Sequence, residues 1–191
     1  MSSREKILAA IRKNKPTVAP LPSVASFAVP DVDLKEHFFE VLKKSGARTM
    51  ELKAIEEVVA LIGESGETFS PIENLQLPNN QFQKVSHPKS LKDLEWSVLE
   101  GTLGVAENGA IWITEAQMGM RGAAYITANL MVVLREDQLV WNLHQAYQKI
   151  DPEVGFGGFI AGPSKTADIE QSLVIGAHGP KSMTVVLLPK K

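Results

Sequence analysis

Residues 130–188 decide the fold: LMVVL (130–134), REDQLVWNLHQAYQK (135–149), IDPEVGF (150–156), GGFIAG (157–162), PSKTADIEQSLVIGAHGPKS (163–182) and MTVVLL (183–188). LMVVL and MTVVLL are short, unbroken apolar runs of the kind that buried strands carry. Between them, residues 136–149 have Leu139, Leu143, Ala146 and Tyr147 at helical spacings, and GGFIAG reads as a strand running into a turn. Residues 167–177 read as a second helix. Strand, helix, strand, helix, strand implies βαβ units and a parallel sheet.

Upstream, WSVLEGTLGVAE (96–107) and AIWITE (110–115) are two hydrophobic runs joined by Asn108-Gly109. Asn-Gly between such runs signals a hairpin, because both residues tolerate positive φ. That adds an antiparallel element, so the expected fold is α/β, with a mixed, largely parallel sheet and helices on both faces. Residues 33–45 read as a helix through Leu34, Phe38, Val41 and Leu42, stopped by Gly46. A strand is expected over 47–52, a helix over 54–63 and a weak strand over 67–72. The stretch 73–92 is polar and irregular, and 116–127 has no clear pattern. Residues 3–14 form an amphipathic helix with Ile7, Leu8 and Ile11 on one face. Pro16, Pro20, Pro22 and Pro30 then forbid regular helix. The expected organisation is a helix plus linker over 1–32 and an α/β body over 33–191. The tethered helix can dock on the body, on a second copy or on a partner.

Composition excludes several chemistries. The 191 residues contain no cysteine, which removes thiolate nucleophiles, disulfides, Cys-bound zinc and Cys-held iron–sulfur clusters from this chain. Four histidines, His37, His87, His144 and His178, lack local metal-pair spacing, so no metal site is expected. Lys plus Arg is 20 against 22 Asp plus Glu, a balance that gives no field for nucleic acid or an anionic membrane. The first residues, MSSREKILAAIRKN, lack a long apolar core, and no run approaches the ~18 apolar residues of a membrane span. A cytoplasmic location is expected.

Two segments carry polar chemistry. In GPSKTADIEQSLVIGAHGPK (162–181), a strand is expected to end at Ala161, with a turn over Gly162, Pro163, Ser164, Lys165 and Thr166. A turn at the carboxyl end of a parallel strand, opening a helix, is where open α/β sheets hold ligands. Free N–H groups at the helix start, with Ser164, Lys165 and Thr166, would hold an anion. The structural alternative is that Thr166 simply caps the helix, with Asp168 and Glu170 in its first turn. No Walker A pattern is present. His178, Gly179 and Pro180 read as the helix stop, which would place His178 ~18 Å from Ser164 and exclude a nucleophile–base pair. The second segment is Glu107-Asn108-Gly109. An acid beside a tight turn between buried strands can be partly desolvated and suited to nucleophilic or acid–base work; the alternative is a solvated surface turn. Arg121, in GMRGAA, can clamp a carboxylate or phosphate or be an ordinary surface arginine. Trp96, Trp112 and Trp141 are read as core or rim.

The block GPSKTADIEQSLVIGAHGPKSMTVVLL strongly resembles the C-terminal signature of the lactate-utilisation protein C, or LUD-domain, family. GVAENGAIWI is similar to that family's Ala-Glu-Thr-Gly-Thr segment, with Asn108 and Ala110 at the threonine positions. Family members often have a histidine just before the strand corresponding to 130–134, where this chain has Asn129. The resemblance implies the fold shared by ribose-5-phosphate isomerases, glucosamine-phosphate deaminases and coenzyme A transferases. Glu107-Asn108-Gly109 resembles the Glu-Asn-Gly context of coenzyme A transferases, and Phe156-Gly157-Gly158-Phe159 is similar to their Gly-rich oxyanion loop. The resemblance also implies a component of an L-lactate-oxidising system that works with iron–sulfur partner subunits. With no cysteine and no dinucleotide fingerprint, no cofactor is expected on this chain. The alternative is a stand-alone enzyme on an anionic small molecule, a sugar phosphate or acyl-coenzyme A, with Glu107 as base or nucleophile.

Overall fold

The computed structural model describes residues 2–16, 20, 23, 27, 29–64, 66–151, 155–169 and 172–191, without the side chains of 167–169 and 172. Its helices are α1 (Ser3–Lys13), α2 (Leu34–Lys44), α3 (Val58–Ile62), α4 (Glu115–Met118), α5 (Ala123–Ile126) and α6 (Leu143–Lys149). Its first strands are β1 (Arg48–Glu51), β2 (Glu67–Phe69), β3 (Leu94–Glu100), β4 (Leu103–Val105), β5 (Ala110–Thr114) and β6 (Asn129–Arg135). Then come β7 (Leu139–Val140), β8 (Gly157–Ile160), β9 (Lys165–Ile169), β10 (Ser172–Ile175) and β11 (Ser182–Leu188). Part of the Pro-rich stretch, including Pro22, lies outside the described residues.

A five-stranded sheet in the order β1-β11-β6-β3-β2 forms the centre. Every neighbouring pair in it is parallel. The LMVVL and MTVVLL runs are the adjacent strands β6 and β11, with Leu130 opposite Met183 and Leu134 opposite Leu187. They read as unbroken apolar runs because both faces are covered. Leu130, Val132 and Leu134 join Phe38 and Leu42 of α2 and Met118 of α4 in one core cluster. Met131 and Val133 join Val58 and Ile62 of α3 on the opposite face. The α/β reading, with a largely parallel sheet and helices on both faces, therefore holds.

Helix α2 forms where its sequence says it should. Asp33 accepts a hydrogen bond from the Glu36 N–H at 3.0 Å, and Lys43 and Lys44 sit in the last turn. Gly46 follows at φ +87°. Phe38 and Leu42 are fully buried, so truncating either to alanine costs about 2–5 kcal/mol. Helix α1 has its expected span and a Ser2/Glu5 capping box, but buries none of its residues.

Four expectations are corrected. First, WSVLEGTLGVAE is two strands in two sheets. It bends at Gly101, where a Cβ would stand 2.6 Å from Ile111 Cγ2 and 2.9 Å from Leu134 Cδ2. β3 stays in the parallel sheet, while β4 pairs with β5 in a second sheet ordered β7-β4-β5-β8. Second, the helix expected over 136–149 starts only at Leu143, where Asn142 accepts the Gln145 N–H at 2.9 Å; Leu139–Val140 instead runs parallel to β4. Third, the described residues of 167–177 are not helical. β9 and β10 make an antiparallel hairpin, with Val174 opposite Thr166 and Ile175 opposite Lys165. Thr166, Ile169, Val174 and Ile175 are β-branched and fit a pleated ribbon better than a helix. Fourth, GGFIAG, as β8, pairs antiparallel with β5 rather than joining the parallel sheet.

Candidate functional site

The hairpin turn carrying Glu107 is built on backbone bonds. Ala106 and Glu107 donate their N–H groups to the carbonyls of Val140 and Trp141, each at 2.8 Å, and Gly109 donates to Val105 at 2.9 Å. Asn108 Oδ1 accepts the Ala110 N–H at 3.0 Å. Gly109, at φ +69°, is the turn residue that needs the left-handed region; Asn108 does not use it. A Cβ on Gly109 would come within 3.3 Å of Leu42 Cδ2, so the turn rests on the last turn of α2. Glu107 is exposed, so the burial on which its expected acid–base role rests is not present.

The Gly162–Thr166 segment reaches the same end of α2. Gly162 has φ +76°, and a Cβ there would stand 2.8 Å from Ser45 Oγ and 2.9 Å from Ser45 O. Pro163 Cγ and Lys165 Nζ lie 3.7 and 3.8 Å from where a Cβ of Gly46 would be. Lys165 thus places its ammonium beside the carbonyl end of α2, where a cation complements the helix dipole. Two segments far apart in sequence, Glu107-Asn108-Gly109 and Gly162-Pro163-Ser164-Lys165, are brought together by one helix end.

The strand–turn–helix geometry expected for anion binding here is absent. Lys165, Thr166 and Asp168 lie on strand β9, so Thr166 caps no helix and Asp168 occupies no first turn. Glu170 lies outside the described residues. The ~18 Å separation expected for a helix between Ser164 and His178 also fails. Ser164 donates its N–H to Pro180 O at 2.9 Å, and its carbonyl accepts from Gly176 at 3.0 Å. Ser164 Cβ lies 2.9 Å from where a Cβ of Gly179 would be. His178 therefore ends no helix; with Gly179 and Pro180 it forms a loop folded against Ser164.

That loop makes one wall of a cleft of about 330 Å³ at the amino ends of β3, β6 and β11. Lys92, Tyr125, Thr127, His178 and Lys181 line it. Burial pushes the Tyr125 phenol above its ordinary value of 10.0, so it stays protonated and able to donate. Next to the lining residue Ala128, Asn129 donates through Nδ2 to Glu95 O at 3.2 Å and accepts at Oδ1 from Ser182 Oγ at 2.7 Å. Asn129 thus clips β6 to β3 and β11. Tyr125 and Thr127 fall in the stretch without a sequence pattern, and no local signal marks them.

Arg121 is paired with Glu115. Its Nε and Nη2 donate to the two oxygens of Glu115 at 2.7 and 2.9 Å, and the guanidinium lies 4.9 Å from the Phe156 ring centre. The Arg121 guanidinium holds the Glu115 carboxyl below its usual range. The glycines after Phe156 serve packing: a Cβ at Gly157 would strike Trp112 Cζ2 at 2.4 Å, and one at Gly158 would stand 3.0 Å from Tyr125 Oη. Trp112 is buried against Phe159, and Trp141 tilts over His37, each at 4.9 Å, in keeping with core and rim roles.

The family model of the LUD domain matches residues 93–188. Among curated proteins, the chain is 30% identical over 117 residues to the lactate utilization protein C of Bacillus pumilus, covering 58% of this chain and 49% of that protein. It is 31% identical over 97 residues to the protein of that name from Deinococcus radiodurans, covering 48% and 46%. For that of Shouchella clausii the values are 30% over 93 residues, covering 46% and 41%. The matched segment is less than half the length of each relative. A crystal structure of a DUF162 family protein from Deinococcus radiodurans superposes with a TM-score of 0.64 at 17% identity, over 81% of this chain and 96% of that one. That likeness is one of fold.

Proposed function

Because the chain belongs to the LUD domain family, we propose that it is a component of an L-lactate utilisation system. It acts with iron–sulfur partner subunits in the oxidation of lactate to pyruvate. The observation that carries this reading is the similarity to proteins named lactate utilization protein C, beside a LUD-domain match over residues 93–188 that spans both segments converging on α2. Oxidising lactate to pyruvate releases two electrons and two protons, and a chain without cysteine cannot hold a thiolate-bound cluster to receive the electrons. In this reading the redox centres sit on the partners, and the chain contributes binding and assembly. The test is reconstitution of lactate-dependent electron transfer from the iron–sulfur subunits with and without this chain. Dependence on the chain supports the reading, and full activity without it overturns it.

A second reading, an anionic small-molecule ligand, is favoured by the cleft of Lys92, His178 and Lys181. Those side chains are cationic or become so on protonation, and no carboxylate is among its lining residues. A thermal-shift series with inorganic phosphate, nucleotides and coenzyme A esters tests it, since a ligand held by the native state alone raises the melting temperature.

A further inference from the structure

The near-even charge of the whole chain conceals a separation along it. Residues 1–15 hold five of the 20 Lys and Arg, namely Arg4, Lys6, Arg12, Lys13 and Lys15, and one of the 22 acids, Glu5. That segment carries a formal +4, and residues 16–191 carry −6. Most of the positive charge sits on a formed helix, α1 (Ser3–Lys13). Its one acid is used by the cap: the Glu5 carboxylate accepts the Ser2 N–H at 2.7 Å, and the Glu5 N–H donates to Ser2 Oγ at 3.2 Å. None of the five cations is in an ion pair among the described residues.

The same helix has an apolar side. At 3.6 residues per turn, Ile7, Leu8 and Ile11 fall within about 100° of one another around the axis. Lys6 and Lys13 lie on the opposite side and Arg12 on the flank. Arg4 precedes Leu8 by one turn, so its aliphatic stem can follow the apolar side with the guanidinium at the rim. Ile7 is 60% and Ile11 55% exposed, and α1 buries none of its residues. The apolar groove of the body lined by Val29, Leu34 and Trp141 carries Lys149 and no carboxylate, so it does not complement a basic helix. Nucleic acid would use the cations but leave the aliphatic stripe without a role, and α1 has no aromatic ring on which a base could stack. An anionic lipid surface uses both, the headgroups for the cations and the acyl boundary for the stripe. After Pro16, Pro20 and Pro22 the chain rests on the body at Phe27, which stacks on His144 at 4.8 Å. Lys15 to Phe27 can span up to ~40 Å. Charges are screened over ~8 Å at physiological salt, so the acidic body does not cancel the basic arm at a surface.

We propose that α1 is a peripheral anchor for anionic lipid. At 11 residues it lies in the headgroup plane rather than crossing it. Ile7, Leu8 and Ile11 face the acyl chains, Arg4 and Arg12 meet the headgroups at the rim, and Lys6 and Lys13 stay within a helix diameter of them. The proposal does not rest on the lactate reading. Co-sedimentation of the full chain with phosphatidylcholine vesicles containing about 30% phosphatidylserine tests it, beside vesicles of phosphatidylcholine alone. Partitioning roughly tenfold stronger onto the anionic vesicles is expected, with loss of that excess at about 0.5 M salt. Deleting residues 1–14 should abolish the binding. I7Q/I11Q keeps every charge and should weaken it roughly tenfold; because neither side chain is buried, the body stays folded. No binding to the anionic vesicles, equal binding to both kinds, or unchanged binding after the deletion would overturn the proposal. So would full binding by I7Q/I11Q, which charge alone would give, or tighter binding to duplex DNA than to the vesicles. A lipid-free dimer that the deletion dissociates, without vesicle binding, would overturn it in favour of a second copy.

Discussion

Substituting Gly162 by alanine tests the seat of the signature turn on α2. Two costs add. A non-glycine residue at φ +76° pays roughly 1–2 kcal/mol for the left-handed backbone. The new Cβ would also stand 2.8 Å from Ser45 Oγ and 2.9 Å from Ser45 O, closer than van der Waals contact allows. Ser45 cannot swing aside freely, because its hydroxyl donates to Leu42 O at 2.7 Å and its carbonyl belongs to the helix cap. Forced overpacking of this kind costs about 1–3 kcal/mol, so G162A should lose about 2–5 kcal/mol in all. Gly155 supplies the control: its φ is +87°, yet a Cβ there meets nothing within 4 Å. G155A should therefore lose only the backbone cost. The gain from a less flexible unfolded chain, about 0.4–1 kcal/mol for Gly→Ala, applies to both variants and cancels in the difference. Equilibrium urea unfolding of the two variants beside the wild type measures that difference, provided the m-values stay constant. A G162A no less stable than G155A would refute the packing of this turn against the end of α2.

Four further outcomes are expected. Ser97 is fully buried in β3 and its hydroxyl has no hydrogen-bond partner; S97A should be neutral or stabilising by up to about 1–3 kcal/mol in the same unfolding assay. N129A breaks the clip to Glu95 and Ser182, leaves Ser182 Oγ without its acceptor and should cost about 1–3 kcal/mol. The Glu115 carboxyl has a folded-state pKa below its ordinary 4.5, chiefly through its hydrogen bond from Arg121. Its contribution is thus fully present above pH 4.5 and lost as pH falls through the folded value, so the stability gap between wild type and E115Q should close on acidification over that window. Removing residues 1–14 should leave the unfolding free energy within about 0.5 kcal/mol of the full chain, because α1 buries no residue. Sedimentation of the same truncated chain shows whether exposed Ile7 and Ile11 anchor a second copy.

Much of the framework was legible because its causes are local or compositional. LMVVL and MTVVLL could be read as buried strands from their unbroken apolar character. Helix α2 announced itself through Asp33, its apolar stripe and Gly46. The Asn108-Gly109 hairpin followed from turn chemistry, although only Gly109 uses a positive φ. The absence of cysteine settled, without any structure, which redox groups this chain does not bind through thiolates. Asn142 was a readable cap, and its Asn-Leu-His-Gln context would have moved the helix start by several residues.

What remained depended on contacts between distant residues. Thr166–Ile175 has spacings compatible with a helix, and only pairing across the hairpin makes it β9 and β10. WSVLEGTLGVAE is uniformly strand-like, and only the close approach of Ile111 and Leu134 to Gly101 sends its halves into different sheets. The same holds at the site. Sequence spacing placed Ser164 and His178 at opposite ends of a helix, whereas the hairpin folds the loop of Gly179 back against Ser164. Nothing in the order of residues brings Glu107 and Lys165 to one helix end. Periodicity and caps act within a few residues and are written along the chain; strand pairing, close approach and shared clefts join residues far apart, and only the folded backbone decides them.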